Sequence, residues 1–299
     1  MPRLAEIQIR DPCVLPTPDG EYYLYGSTDA NIWSGPGTGF DTYRSTDLEH
    51  WEGPIPAFRP PPGFVGTTQF WAPEVYSYRG RYVMFATVNG PDVMRGTHAF
   101  IADTPAGPFQ PHSGGALTPS AWQCLDGTLH VDADGDPWMV FCHEWQQVHD
   151  GGMHAVRLTP DLRAAAGRPH FLFNASEAPW ARDLRPSMAA EKAATYRFAC
   201  YVTDGPFLHR TADGTLLMLW STMGATGYTM GLARSSSGHV TGPWEQLAEP
   251  LWDRDGGHGM VLRTHDRRVL VTWHEPNETP NERTVLREIV EDGGRFRLV

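Results

Sequence analysis

The sequence predicts an all-β chain, folded as a single five-bladed β-propeller over residues 1–299. Three observations point there. Five times, a polar residue heads a short apolar run, then a glycine- or charge-rich turn, then a second apolar run. The heads are Asp11, Glu74, Asp126, Asp204 and His258, and they recur at intervals on the order of one four-stranded blade. No long stretch carries a 3.6-residue apolar period, so strands have no helical competitor.

Each repeat reads the same way. The first opens as "RDPCVLPTPDGEYYLYGST" from Arg10, turns near Gly20 and continues into "TYRSTDLEHWEG". The second is "WAPEVYSYRGRYVMFAT" from Trp71, turning near Gly80, followed by "THAFIADTPAGPFQ". The third, "LDGTLHVDADGDPWMVFCHEW" from Leu125, turns near Gly135 and leads to "MHAVRLTPDLRAA". The fourth, "YVTDGPFLHRTADGTLLMLWST" from Tyr201, turns near Gly214 before "YTMGLARSSSGHVTGPWEQ". The fifth, "GGHGMVLRTHDRRVLVTWHEP" from Gly256, turns near Arg267 and ends in "RTVLREIVEDGGRF". Trp51, Phe109 and Trp244 mark a shared outer-strand pattern. The longest connection, 163–200, reads as a loop over one face. With 30–40 and 88–97 it is expected to shape a pocket.

Composition narrows the partners. A net charge of −11 argues against nucleic acid and anionic membrane surfaces. The start, "MPRLAEIQIRDP", has no basic and apolar leader, and no stretch is long enough to span a bilayer, so the expected location is cytoplasmic. The four cysteines, Cys13, Cys124, Cys142 and Cys200, have no metal-binding rhythm and are expected to be buried free thiols. "DADGD" lacks the glycine position of a calcium loop, and "GPGTG" misses both phosphate-loop spacings. His143, His149 and His154 lack the regular spacing of a metal site.

The heads carry the chemistry. The inner strands of a propeller all start near the axis, so their first residues gather at one mouth of the central channel. Any one head alone reads as a turn or cap residue. Several carboxylates together cost Coulomb energy that folding does not repay. Glycoside hydrolysis uses such a cluster: one carboxylate as base or nucleophile, one kept protonated to donate to the leaving oxygen, and a third to hold that proton. Pro12, Pro73 and the Gly205–Pro206 pair fix the backbone beside Asp11, Glu74 and Asp204. Eleven tryptophans supply flat faces for sugar rings, although most are expected in blade packing.

Over essentially the whole chain, "RDP", "WAPE", "LDGTL", "DGP" and "GGHG" resemble glycoside hydrolase family 43. The resemblance implies a five-bladed propeller that releases terminal xylose or arabinofuranose from short oligosaccharides by single-step inversion. It implies Asp11 as the base that activates water, Asp126 as the pKa modulator that orients the acid, and Asp204 at the acid's position. Trp71, Glu74, His258 and Arg283 would bind substrate. No cofactor is required. His258 is similar to a histidine that faces an ion in the channel, often calcium held through water, or an ordered water. The family's acid is normally glutamate; here it is aspartate, one methylene shorter, which leaves Glu74, Glu144 and Glu191 as other proton donors. The alternatives are a furanosidase acting on galactofuranosides or fructosides, and a carbohydrate-binding propeller without catalysis.

Overall fold

The computed structural model describes residues 1–299 and contains five four-stranded antiparallel sheets, each a simple meander of consecutive strands. Blade 1 comprises Arg10–Pro16, Tyr22–Ser27, Phe40–Ser45 and Glu52–Phe58. Blade 2 comprises Thr68–Tyr78, Arg81–Gly90, Val93–Ala102 and Gln110–Pro111. Blade 3 comprises Cys124–Val131, Pro137–His143, Gly152–Arg157 and His170–Asn174. Blade 4 comprises Asp204–Arg210, Leu216–Gly224, Gly227–Ser235 and Trp244–Gln246. Blade 5 comprises Gly257–Arg263, Val269–Glu275, Arg283–Glu291 and Phe296–Leu298.

The first strands form the inner ring, and that of blade 1 touches those of blades 2 and 5, which closes the circle. Closure is reinforced from the N-terminus. Gln8 bridges to Arg283, and the Ile9 amide donates to the Glu282 carbonyl at 3.4 Å. The second strands are almost wholly buried, and apolar clusters fill the space between blades. The inner-hairpin turns fall where the sequence placed them. Gly20, Gly80, Gly135, Gly214 and Arg267 all sit in the left-handed region, with φ between 69° and 91°. Only the fifth blade holds that conformation with a side chain.

One part of the sequence reading is corrected. The connection at 163–200 is not loop throughout, because His170–Asn174 forms the outer strand of blade 3. The remainder carries only short helical turns, including Ala190–Ala193. The four cysteines are buried and unpaired, as expected.

Candidate active site

All five inner strands carry a bulge near their start, at 11–12, 72–73, 126–127, 205–206 and 258–259. The first bulged residue is left-handed in every blade: Asp11 (φ 55°), Ala72 (45°), Asp126 (56°), Gly205 (49°) and His258 (59°). A bulge frees a backbone amide from the ladder and re-aims a side chain. Here it turns Asp11, Asp126 and His258 into the channel mouth.

This register corrects the sequence reading of five equivalent heads. Blade 2 has Ala72 at the head position, and Glu74 lies two residues deeper. Blade 4 has Gly205 there, because a Cβ would come within 2.7 Å of the His258 ring. Its acid therefore stands one residue earlier, as Asp204.

The three carboxyls and the imidazole form one chain of contacts. Nδ1 of His258 lies 3.1 Å from Oδ1 of Asp11 and 3.8 Å from Oδ2 of Asp126. Asp126, Asp204 and His258 each place a donor atom within 4.8 Å of the others. Ser27 donates to Oδ2 of Asp11 at 2.7 Å, and Arg10 Nε is 3.7 Å from its Oδ1. The Tyr228 hydroxyl donates to Oδ2 of Asp204 at 2.9 Å. The Gly205 amide donates to Oδ2 of Asp126 at 3.1 Å.

Charge is divided sharply across this cluster. Burial alone would push the Asp11 carboxyl up, but the charge and hydrogen bond of His258, then Arg10 and His274, hold it well below the usual carboxylate range. Burial would lower His258; the charges of Asp11 and Asp126 outweigh it and raise the imidazole to about 10. Asp126 is pushed well above its ordinary value, first by burial and then by the adjacent Asp204 carboxylate. Asp11 is thus held ionised beside a His258 imidazolium, while the buried Asp126 carboxyl is pushed toward its protonated form.

Asp11, Asp126, Asp204, Trp71 and His258 all line one cavity of about 550 Å³. Glu74 does not. It lies below the mouth, accepting from Thr128 at 2.8 Å and from the Tyr76 hydroxyl, and burial raises it to about 7. Arg283 is also absent from the cavity. Its Nη1 donates instead to the carbonyls of Pro280 and Glu282. The arginines that do reach the cavity are Arg10 and Arg95. Of the other candidate proton donors, Glu191 is exposed outside the cavity, and Glu144 lines it but is locked 3.0 Å from Arg95.

Sequence reasoning missed Trp33, Arg95, Tyr228 and Asn277 as cavity residues, although it placed the 30–40 and 88–97 loops there and named Glu144 as another proton donor. A rule could have found most of them. The second strand of each blade ends on the face where the first begins, so residues after second strands share the mouth.

Asp126, Asp204 and His258 are the residues that would hold a cation here, and most of the six to eight oxygen ligands that calcium takes would then come from water, since His258 Nδ1 already faces Asp11 at 3.1 Å. The Nε2 of His258 is buried without a partner, and as an N–H it suits an acceptor such as an ordered water.

The comparisons agree with this geometry. The family model for Glycosyl hydrolases family 43 matches residues 4–293. Among solved structures, an endo-arabinase from Bacteroides thetaiotaomicron is 38% identical, with 99% of each chain covered and a TM-score of 0.89. An endo-1,4-beta-xylanase from the same organism is 22% identical over 98% of this chain and 94% of its own, with a TM-score of 0.73. An alpha-L-arabinofuranosidase from Lactobacillus brevis is 17% identical over 96% and 92%, also with a TM-score of 0.73. The last two likenesses show the fold. Among curated proteins none matches the chain. A family match that runs through all five blades, over a channel mouth lined by three aspartates and a histidine, makes this chain a member of glycosyl hydrolase family 43.

Proposed function

We propose that this glycoside hydrolase cleaves α-L-arabinofuranosyl bonds in pentose saccharides by single-step inversion, releasing terminal sugar from short oligosaccharides. The observation that carries the chemistry is one cavity mouth that holds Asp11, kept ionised by His258 and Arg10, together with Asp204 and an Asp126 that burial and Asp204 push well up. Asp11 takes a proton from the attacking water. Asp204, the more exposed of the pair, gives its proton to the departing sugar oxygen, and Asp126 withholds that proton from solvent until then. The choice of arabinose rests on the 38% identity to an endo-arabinase. A cavity of about 550 Å³ suits a small ligand.

A panel of aryl arabinofuranosides, xylosides and galactofuranosides tests the sugar. Proton NMR of the first-formed anomer tests inversion. Asp11→Asn should lower turnover by at least about 10²-fold with the melting temperature unchanged. Retention of anomeric configuration, or full turnover by Asp11→Asn, would overturn the mechanism; a preference for xylosides or galactofuranosides would overturn the sugar.

A further inference from the structure

The bulged amides follow a rule with one exception. Each is freed from its own ladder, and in four blades it donates to a side chain at the end of the preceding blade's second strand. Ala72 donates to Oγ of Ser27, Asp126 to Oγ1 of Thr87 and His258 to Oγ of Ser221, each at 2.9 Å. Asp11 donates to Nδ1 of His274 at 3.2 Å. Ser27, Thr87, Ser221 and His274 occupy one ladder position, opposite the residue before the bulge.

The residue at that position in blade 3 is Cys142, opposite Leu125. It is fully buried, and its sulfur contacts Met153 Sδ at 4.0 Å. A thiol is a weak acceptor. The Gly205 amide, which the rule would send to this position, donates instead to Oδ2 of Asp126.

We propose that Cys142 is a positioning residue for catalysis: by leaving the Gly205 amide unclaimed, it directs that amide onto Asp126 and fixes this carboxyl against Asp204. A serine or threonine here, as in the neighbouring blades, would capture the amide. Asp126 would then lose its one backbone donor and be free to turn from Asp204. Three hydroxyls and an imidazole at the other four positions tie blade to blade; a sulfur here leaves the amide to the Asp126 carboxyl. The catalytic consequence rests on the reading of Asp126 and Asp204 as the acid pair, whereas the redirected amide does not.

Two variants separate the cases. Cys142→Ser keeps the shape and adds a strong acceptor; Cys142→Ala removes the sulfur and adds none. In glycine-selective ¹⁵N-labelled parent protein, the Gly205 amide shift should follow titration of the Asp126 carboxyl, and should still do so in Cys142→Ala. In Cys142→Ser it should stop doing so. On pentosides with a sugar leaving group, Cys142→Ser should lose about tenfold in kcat/KM, the worth of one hydrogen bond to a charged group, and its alkaline limb should move to higher pH. Cys142→Ala should stay within about threefold of the parent, since it adds no competitor. A parent Gly205 amide blind to carboxyl titration overturns the proposal, even if Cys142→Ser does not fold. So does a Ser variant that matches Ala in both readouts. Loss of the titration response without loss of activity would leave the redirected amide standing and reject its catalytic role.

Discussion

Tyr228 holds Asp204 from one side while its ring stacks on a partner of Asp11. Its hydroxyl donates to the acid's carboxyl at 2.9 Å, and the ring lies 5.5 Å from that of His274 at an interplanar angle of 20°. His274 in turn accepts from the Asp11 amide. One buried side chain thus links the surroundings of Asp204 to those of Asp11. An aspartate works where relatives of the family carry glutamate only if its short arm is held forward, and Tyr228 is the group in contact with it. Tyr228→Phe should keep the ring stack and lose the hydrogen bond. We expect kcat/KM to fall about tenfold on sugar leaving groups and much less on a dinitrophenyl glycoside. Equal loss on both would make Tyr228 a substrate contact.

Asp204 itself should show the stronger form of this signature. A sugar alkoxide needs the proton and a dinitrophenolate hardly does, so Asp204→Ala should lose about 10²–10⁴-fold on oligosaccharides and far less on the activated substrate. Glu144→Gln should show no such dependence, because its carboxyl is tied to Arg95. Asp204→Glu should also be slower, since Tyr228 shapes the site for the shorter acid. If the leaving-group dependence tracks Glu144 instead, the donor assignment moves there.

The pH profile follows from the charge split. Asp11 lies well below the usual range, so it stays ionised and activity should be flat on the acid side to about pH 4. Asp126 is raised, so its proton is held above the usual carboxylate range and is lost only as pH rises further. Activity should therefore fall on the alkaline side alone. Asp126→Asn removes the like charge and should move that fall to lower pH. A steep acid limb near neutrality in the parent would contradict the locked base.

Glu74 gives a prediction about stability. Burial raises its carboxyl from an ordinary value of 4.5 to about 7. The folded state then binds more protons than the unfolded state between these values, so stability falls as pH rises through that window. Glu74→Gln keeps an acceptor for Tyr76 and Thr128 without the charge. Its melting temperature should vary less than the parent's from pH 5 to 8, and should exceed the parent's at pH 8. Parallel curves would show that Glu74 is charged at both ends of the range.

Much of the architecture was legible because it repeats. Five turn residues, from Gly20 to Arg267, mark five hairpins, and alternation within each run marks its strands. Asp11, Asp126 and His258 were legible as a set because they stand at one register position. Glu74 and Asp204 were read into that register because they are polar and near the same place, but a bulge shifts facing by single residues, and sequence does not print a bulge. Tyr228 and Arg95 left no signal of their own. They reach the cavity because strands end there, which is a property of the assembled ring. Arg283 stands at the start of a third strand as they do, but its guanidinium is taken by the carbonyls of Pro280 and Glu282, which sequence does not show.

The way the ring closes also orders events during synthesis. Asp11 is made with the first blade, but its partners His258 and His274 and the Arg10-bound Glu282 come only with the fifth. A ribosome that stops before the fifth blade releases a chain with Asp126, Asp204 and an apparently complete set of acids. In that chain the base has no imidazolium beside it and its strand has no blade to close against. Blade 1 acquires its chemistry only when blade 5 arrives, so chains that stop before it should be catalytically silent.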